Sequence, residues 1–215
     1  MKSLAACIAA VALLMVPPQA AAQHAGDSWR PLIPTLKAQL GAKPDAEVAL
    51  RLAMVYAHEG LLIDWWHMLK QIDRMIGGEN RRGQFGRQVM SVASQSVKQD
   101  PGNLLARYEM AFASWFVESD HHTAMQQFLE ITRLEPRNAM NHGYLGYLYA
   151  DREDAKNTIA QWEDSVRLDP ANSAIRYLLG TAYSRTGRTR DAAVQFALAY
   201  KDRTVYNYVT RGELP

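Results

Sequence analysis

The chain has 215 residues, with 24 lysines and arginines against 22 aspartates and glutamates, for a formal charge of +2 at neutral pH. A balance this close to neutral argues against a nucleic-acid ligand and against electrostatic attachment to a membrane surface. The one cysteine, Cys7, excludes a disulfide framework within the chain.

Residues 1–22 read as a secretory signal peptide. Lys2 gives a positive start, Leu4 to Val16 form a short apolar core, and Ala20-Ala21-Ala22 offers a small-residue cleavage site. The apolar run is shorter than the roughly 20 residues of a membrane span, so no stable membrane insertion is expected after cleavage. Leu4-Ala5-Ala6-Cys7 has the composition of a lipid-attachment box, but only three residues precede it and the apolar core follows it. That order favours plain cleavage near Ala22. Removing 22 of the 215 residues leaves 193, enough to bury a substantial core as one domain. Cys7 leaves with the signal, and with it any thiol nucleophile or thiolate metal ligand. An exported chain without cysteine must be held by packing alone.

Residues 23–45 form a lead-in. Trp29, Leu32, Ile33, Leu36 and Leu40 supply apolar contacts, interrupted by Pro31, Pro34, Gly41 and Pro44. One short helix is expected near 34–40. Residues 46–77 follow with a helical pattern through Leu52, Ala53 and Tyr56, a break at Gly60, and a second helix that Gly77-Gly78 ends. Adjacent helical residues point about 100° apart, so of Trp65 and Trp66 one fills the core and the other stands at a groove or surface. Residues 78–100 are the irregular part. A polar start, Glu79-Asn80-Arg81-Arg82-Gly83, precedes a helical stripe of Phe85, Val89, Met90, Val92, Ala93 and Val97.

A punctuation mark then repeats. Asp100-Pro101-Gly102-Asn103 recurs as Glu135-Pro136-Arg137-Asn138 and as Asp169-Pro170-Ala171-Asn172, with 35 and 34 residues between the prolines. Proline cannot continue a helix. Asn two residues later accepts the unsatisfied N–H groups of the next one. Each mark therefore ends one helix and starts another, and a period in the thirties signals stacked helix pairs. Leu145, Gly146 and Tyr149 in one unit answer Leu179, Gly180 and Tyr183 in the next. Gly187, Ala192, Phe196 and Ala199 follow in the last unit, and Ala124, Phe128, Leu134 and Pro136 close an earlier one.

This pattern resembles the tetratricopeptide (TPR) repeat family. The family frame has Leu at position 7, Gly at 8, Tyr at 11, Ala at 20, Phe at 24 and Pro at 32. Three units, about 105–138, 139–172 and 173–202, fit the frame without gaps. Residues 46–100 then read as degenerate TPR-like helices. Leu52, Ala53, Tyr56 and Gly60 match, while Trp65 stands where Ala is usual and Leu69 where Phe is usual. Within 78–100 a first helix is missing, or one longer helix spans the gap. The resemblance implies an all-α, right-handed superhelical solenoid of stacked antiparallel helix pairs. The lead-in covers its open end. Residues 203–215, rich in β-branched and aromatic side chains, form either a C-terminal cap, the favoured reading, or a tail that docks on a partner.

By the same resemblance, positions 2, 5, 9, 12 and 13 of each unit line a concave groove. The candidate binding residues are Leu50, Met54 and His58 in the degenerate unit, Glu109 and Phe116 in the first, Met140, Tyr147 and Asp151 in the second, and Tyr177, Thr181 and Arg185 in the third. For any one ring a core role is the commoner outcome. As a set they describe an aromatic, apolar groove suited to a protein or peptide partner. The cationic clamp that some TPR domains use on a C-terminal carboxylate has no counterpart here, because its places hold Glu109, Ala113, Tyr144, Ala174 and Leu178.

No phosphate-binding glycine loop or nucleophile elbow is present. His58-Glu59 lacks a second histidine at zinc-helix spacing. Asp120-His121-His122 reads as a polar turn rather than a metal site, and Arg81, Arg82 and Arg87 as a solvated face. We therefore expect a non-enzymatic, cofactor-free scaffold, exported to a bacterial periplasm, that binds another protein in assembly of an envelope or secretion machine. A chaperone shielding apolar client segments is one rival. An enzyme with a site around Glu79, Arg81 and Arg82 is another, and it requires a buried polar cluster there.

Overall fold

The computed structural model describes residues 28–77, 79–116 and 120–211. The expected signal peptide, Gly78, Val117 and the side chain of Phe116 lie outside the described residues. Eleven helices and no strand occur among the described residues: α1 (Leu32–Ala42), α2 (Ala46–His58), α3 (Leu62–Ile76), α4 (Glu79–Gln99), α5 (Leu104–Phe116), α6 (His121–Leu134), α7 (Ala139–Ala150), α8 (Ala155–Leu168), α9 (Ser173–Arg185), α10 (Thr189–Ala199) and α11 (Arg203–Thr210). They build a right-handed solenoid of stacked antiparallel pairs: α2 with α3, α5 with α6, α7 with α8, and α9 with α10.

The repeated marks act as the sequence indicates. The Asn103 side chain accepts from Ala106 N–H at 3.0 Å, Asn138 from Met140 N–H at 2.9 Å, and Asn172 from Ile175 N–H at 3.1 Å. Each satisfies an N–H that a helix start leaves open. A second device recurs with them. Six residues after each proline, a side chain clamps the mark to the second helix of its pair. Arg107 donates to the Pro101 carbonyl at 2.8 Å and to Gln127 at 3.0 Å. Arg176 donates to the Pro170 carbonyl at 2.8 Å and to Gln195 at 2.9 Å. His142 lies between the Pro136 carbonyl and Gln161, at 3.3 and 2.9 Å.

These fixed offsets correct the gapless frame. Ten residues after the prolines stand Ala111, Gly146 and Gly180, all buried. A Cβ at Gly146 would overlap the Trp162 ring, and one at Gly180 would lie 2.8 Å from Phe196. The small residue of the first unit is thus Ala111, not Phe112. The 35-residue interval holds one extra residue, and the groove positions of α5 sit one residue earlier than the frame assigned.

The N-terminal half departs from regular stacking. α1 covers α2 with Leu36 buried, and it runs beyond the expected 34–40 because Pro34 falls in its first turn, where a missing N–H leaves no bond unmade. Residues 79–99 form a single 21-residue helix, α4. It packs along α5 and touches α3 only lightly. Its buried side chains are Val89 and Ala93, whereas Arg81 is exposed and Arg82 pairs with Asp73 across solvent. Among the described side chains α4 buries no polar cluster of the kind a catalytic site at this segment requires; the side chain of Glu79 lies outside the described residues. At the other end α11 is helical, capped by Asp202, which accepts from Thr204 N–H at 2.8 Å. Val205 is buried there, and Tyr206 meets Tyr200 edge-on at 5.8 Å.

Candidate functional site: a groove partly filled from within

The candidate groove residues separate into two groups. Leu50, Met54 and His58 are buried in α2, with Leu50 and His58 each reaching the edge of a cleft. The reason is the helix itself. From Ala49 to His58 every residue but Arg51 is buried, and a helix apolar on all sides belongs inside. α2 reaches past α5 to touch α7. The Tyr144 hydroxyl donates to the Ala57 carbonyl at 3.0 Å, and Asn138 donates to the His58 carbonyl at 3.3 Å. Met140, expected in the groove, is 3% exposed because the Gly60 turn packs on it.

The first unit is covered in the same way. Its corrected groove positions include Tyr108 and Phe112, both buried. Trp29 and His58 sit against Tyr108 with ring centres at 5.4 and 5.9 Å, and Trp65 sits against Phe112 at 5.6 Å. Trp65 is therefore the core member of its pair, while Trp66 is 39% exposed. Glu109 is half-buried. It occupies the inward place that the next units give to Tyr144 and Leu178, 3.8 Å from Arg51. Burial pushes its carboxyl up to about 7, against the downward pull of Arg51.

The filled part is tied by a polar node that sequence reading missed. His58 stacks on Trp29 with centres 4.0 Å apart. Its Nδ1 lies 3.2 Å from Glu59 Oε1 and its Nε2 3.2 Å from Glu135 Oε2. Glu59 also accepts from Trp29 N–H at 2.5 Å, Ser28 at 3.1 Å and Arg30 at 3.0 Å. Burial raises the Glu59 carboxyl, yet the hydrogen bonds from Trp29, His58, Ser28 and Arg30 together hold it below its ordinary value. The lead-in, the end of α2 and the turn before α7 thus meet at one point. A cleft of about 630 Å3 opens beside it, lined by Ser28, His58, Glu59, Glu135 and Met140 among others. The one sequence signal for Glu135 was its place in the repeated mark, where the acidic residue reads only as punctuation.

The remaining groove residues stay within reach of solvent. Tyr147 is half-buried between Trp115 and Trp162, at 6.1 and 5.6 Å. Asp151 is exposed, accepting from Trp115 Nε1 at 3.2 Å and facing His121 at 3.6 Å. Tyr177 is half-buried, leaning on Phe196 at 5.7 Å and Tyr200 at 6.3 Å. Thr181 donates to the Tyr177 carbonyl at 3.1 Å, and Arg185 is exposed. Among the described residues no group of three or more His, Cys, Asp or Glu is arranged to hold a metal ion, and no helix is long and apolar enough to cross a membrane.

No family model and no curated protein matches the sequence. Solved structures of MamA share its fold. The MamA RS-1 ArsTM double mutant superposes with a TM-score of 0.54 at 17% identity, over 79% of this chain and 92% of that one. MamA 41-end from Desulfovibrio magneticus RS-1 gives 0.49 at 18% identity, over 73% and 93%. A further crystal structure of MamA gives 0.47 at 20% identity, over 80% and 86%. The likeness carried by the first of these is one of backbone path, the TPR-like solenoid.

Proposed function

We propose that the chain is a non-enzymatic protein-binding scaffold whose partner occupies the open stretch of the concave face along α7 and α9. The observation that supports this reading is the division of the groove. Trp29, α2 and α3 already fill its first part, whereas Tyr147, Asp151, Tyr177, Thr181 and Arg185 remain at or near the surface. That stretch offers two tyrosine edges, a carboxylate and a guanidinium, a mixture suited to a peptide segment or helix with both apolar and charged side chains. The composition of residues 1–22 supports export, and we place the scaffold in a bacterial periplasm, in assembly of an envelope or secretion machine.

The test is site-specific photocrosslinking in the native cells. A photoreactive residue at Thr181 is compared with one at Leu129, which is 47% exposed on α6. One adduct of defined size at 181, absent at 129 and lost with Arg185→Glu, supports a dedicated partner. A ladder of many adducts at 181 converts the reading to a chaperone. Equal labelling at both sites, or none at 181, overturns groove binding.

A further inference from the structure

A second surface lies at the opposite end of the solenoid and shares no residue with the open α7–α9 face. α3 and α4 are consecutive in the chain, yet they barely touch. They splay apart around a cleft of about 290 Å3. Trp66, Leu69 and Ile72 wall it from α3, Phe85 and Val89 from α4, and Phe112 lies at its floor. From α1 to α10 the other consecutive helices close on each other. Here a Trp ring is left 39% exposed on a surface that has no other helix among the described residues to cover it. The volume takes a few aliphatic or aromatic side chains, below the usual range for cofactor pockets.

The charges around the mouth are uneven. Lys70 extends over the Trp66 ring, 5.1 Å from its centre, and Arg82 and Asp73 join the lining from opposite walls. Arg81 is exposed beside Arg82, on the flank of α4 next to the cleft-facing row 82, 85, 86 and 89. Among the described side chains three cations therefore border an apolar slot against one carboxylate, Asp73, which is already bonded to Arg82. A guanidinium offers five donors, so Arg82 can bind a second carboxylate beside the first.

We propose that the α3–α4 cleft docks an amphipathic helix of a protein partner, its apolar stripe seated on Trp66, Leu69 and Phe85 and its acidic flanks facing Lys70, Arg81 and Arg82. Apolar anchors entering a slot between two helices are the helix-in-groove mode of recognition. The basic rim fixes the sign of the partner's flanks and speeds encounter.

The proposal is tested with the full chain and three synthetic 18-residue helical peptides followed by calorimetry. All three have the same composition of Leu and Phe. One carries Glu on both flanks of the stripe, one carries Lys, and one is a scrambled Glu version. The Glu peptide is expected to bind at least tenfold more tightly than the other two and to weaken as salt rises. Trp66→Ala should weaken it at least tenfold. Lys70→Glu combined with Arg81→Glu should reverse the preference toward the Lys peptide. All three positions are exposed, and circular dichroism on each variant confirms that the helices persist. Equal binding of the Glu and Lys peptides overturns the proposal, as does absence of binding by any of them. Binding that survives the α3–α4 variants but falls with Tyr177→Ala and Arg185→Glu also overturns it and assigns the peptide to the α7–α9 face. The scaffold reading fails separately, by its crosslinking.

Discussion

From α7 to α10 each helix pair is built by a short rule. A mark caps the first helix, a glycine lets it approach the second, and an aromatic ring from the second helix fills that gap, Trp162 on Gly146 and Phe196 on Gly180. The pairs repeat along the axis and leave their concave residues near solvent. From α1 to α5 the same kind of helices are used differently. α2 is apolar on nearly every side, so most of it is buried, and it sinks across α5 to reach α7. α4 is a long helix with no partner of its own kind, and it leaves a cleft against α3. The difference shows how a repeat array closes one end. The terminal unit turns its helices inward to bury the apolar surface that the last stacked pair would otherwise expose.

The sharpest way to break that comparison is at Trp29. Its ring is 2% exposed and covers both His58 and Tyr108. Trp29→Ala should cost about 3–5 kcal/mol, the usual range for truncating a buried large aromatic. Chemical denaturation monitored by circular dichroism measures it. If the loss is under about 1 kcal/mol, the lead-in is an ornament and the filled groove is stable without it.

The regular half is broken by the opposite error, an added side chain. Gly146→Leu forces branched carbon into the space of the Trp162 ring, and Gly180→Leu crowds Phe196. Each should destabilise by about 2–3 kcal/mol through overpacking. The order should be Gly146 before Gly180, because Phe196 is only half-buried and can swing outward while Trp162 is enclosed. Melting temperatures read this directly, and a reversed order contradicts the packing argument.

Glu109 makes the comparison depend on pH. Its carboxyl titrates at about 7 in the fold, whereas the unfolded chain titrates near the ordinary value of about 4.3. The folded state therefore holds the proton more tightly. Below about pH 4 both states are protonated and the fold carries no penalty from this group. As pH rises toward 7 the unfolded chain ionises first and stability falls; above 7 the penalty is constant. Glu109→Gln should leave stability near pH 4 unchanged and raise it at pH 8 by about 1–3 kcal/mol. The full shift is discounted because the side chain keeps 15% exposure to water. Glu59 acts with the other sign. Its carboxyl is held below its ordinary value, so its contribution is present above that value and is lost as pH falls through the lowered one. Acid unfolding curves of Glu109→Gln and Glu59→Gln should therefore diverge in opposite directions.

What could be read from the sequence follows from the range over which each interaction acts. The marks and the glycine–aromatic pairs are local in the repeat, so the three marks, with their prolines and Asn caps, locate six helix ends. The extra residue in the first unit was visible as the 35 beside the 34, but a frame anchored on Leu and Phe positions absorbed it. That frame sets the groove positions of α5 one residue late, at Glu109 instead of Tyr108. The crossing of α2 onto α7 joins residues about 80 positions apart through Tyr144, Asn138 and Glu135. No period reveals such a contact. Only the all-round apolar character of α2 hints that Met54 and His58 are buried.

The smallest effect gives the finest comparison, between two equivalent caps. Asn138 and Asn172 stand at the same place in successive marks, and each accepts one N–H of the helix it starts. Replacing either with Ala removes a cap worth about 1 kcal/mol. Asn138 has a second task. Its amide donates to the His58 carbonyl at 3.3 Å, at the end of α2, whereas the Asn172 amide reaches only the Met140 sulfur, a weak acceptor, at 3.2 Å. Asn138→Ala should therefore cost more than Asn172→Ala by about 0.5–1.5 kcal/mol, the net worth of one hydrogen bond. The excess should vanish when Trp29→Ala has already loosened the end of α2, because the two changes then act on one contact. A double-mutant cycle in denaturant measures that coupling. Equal costs for the two caps, with no coupling to Trp29, would mean that α2 rests on α7 by packing alone and that the polar node contributes nothing to the closure of the groove.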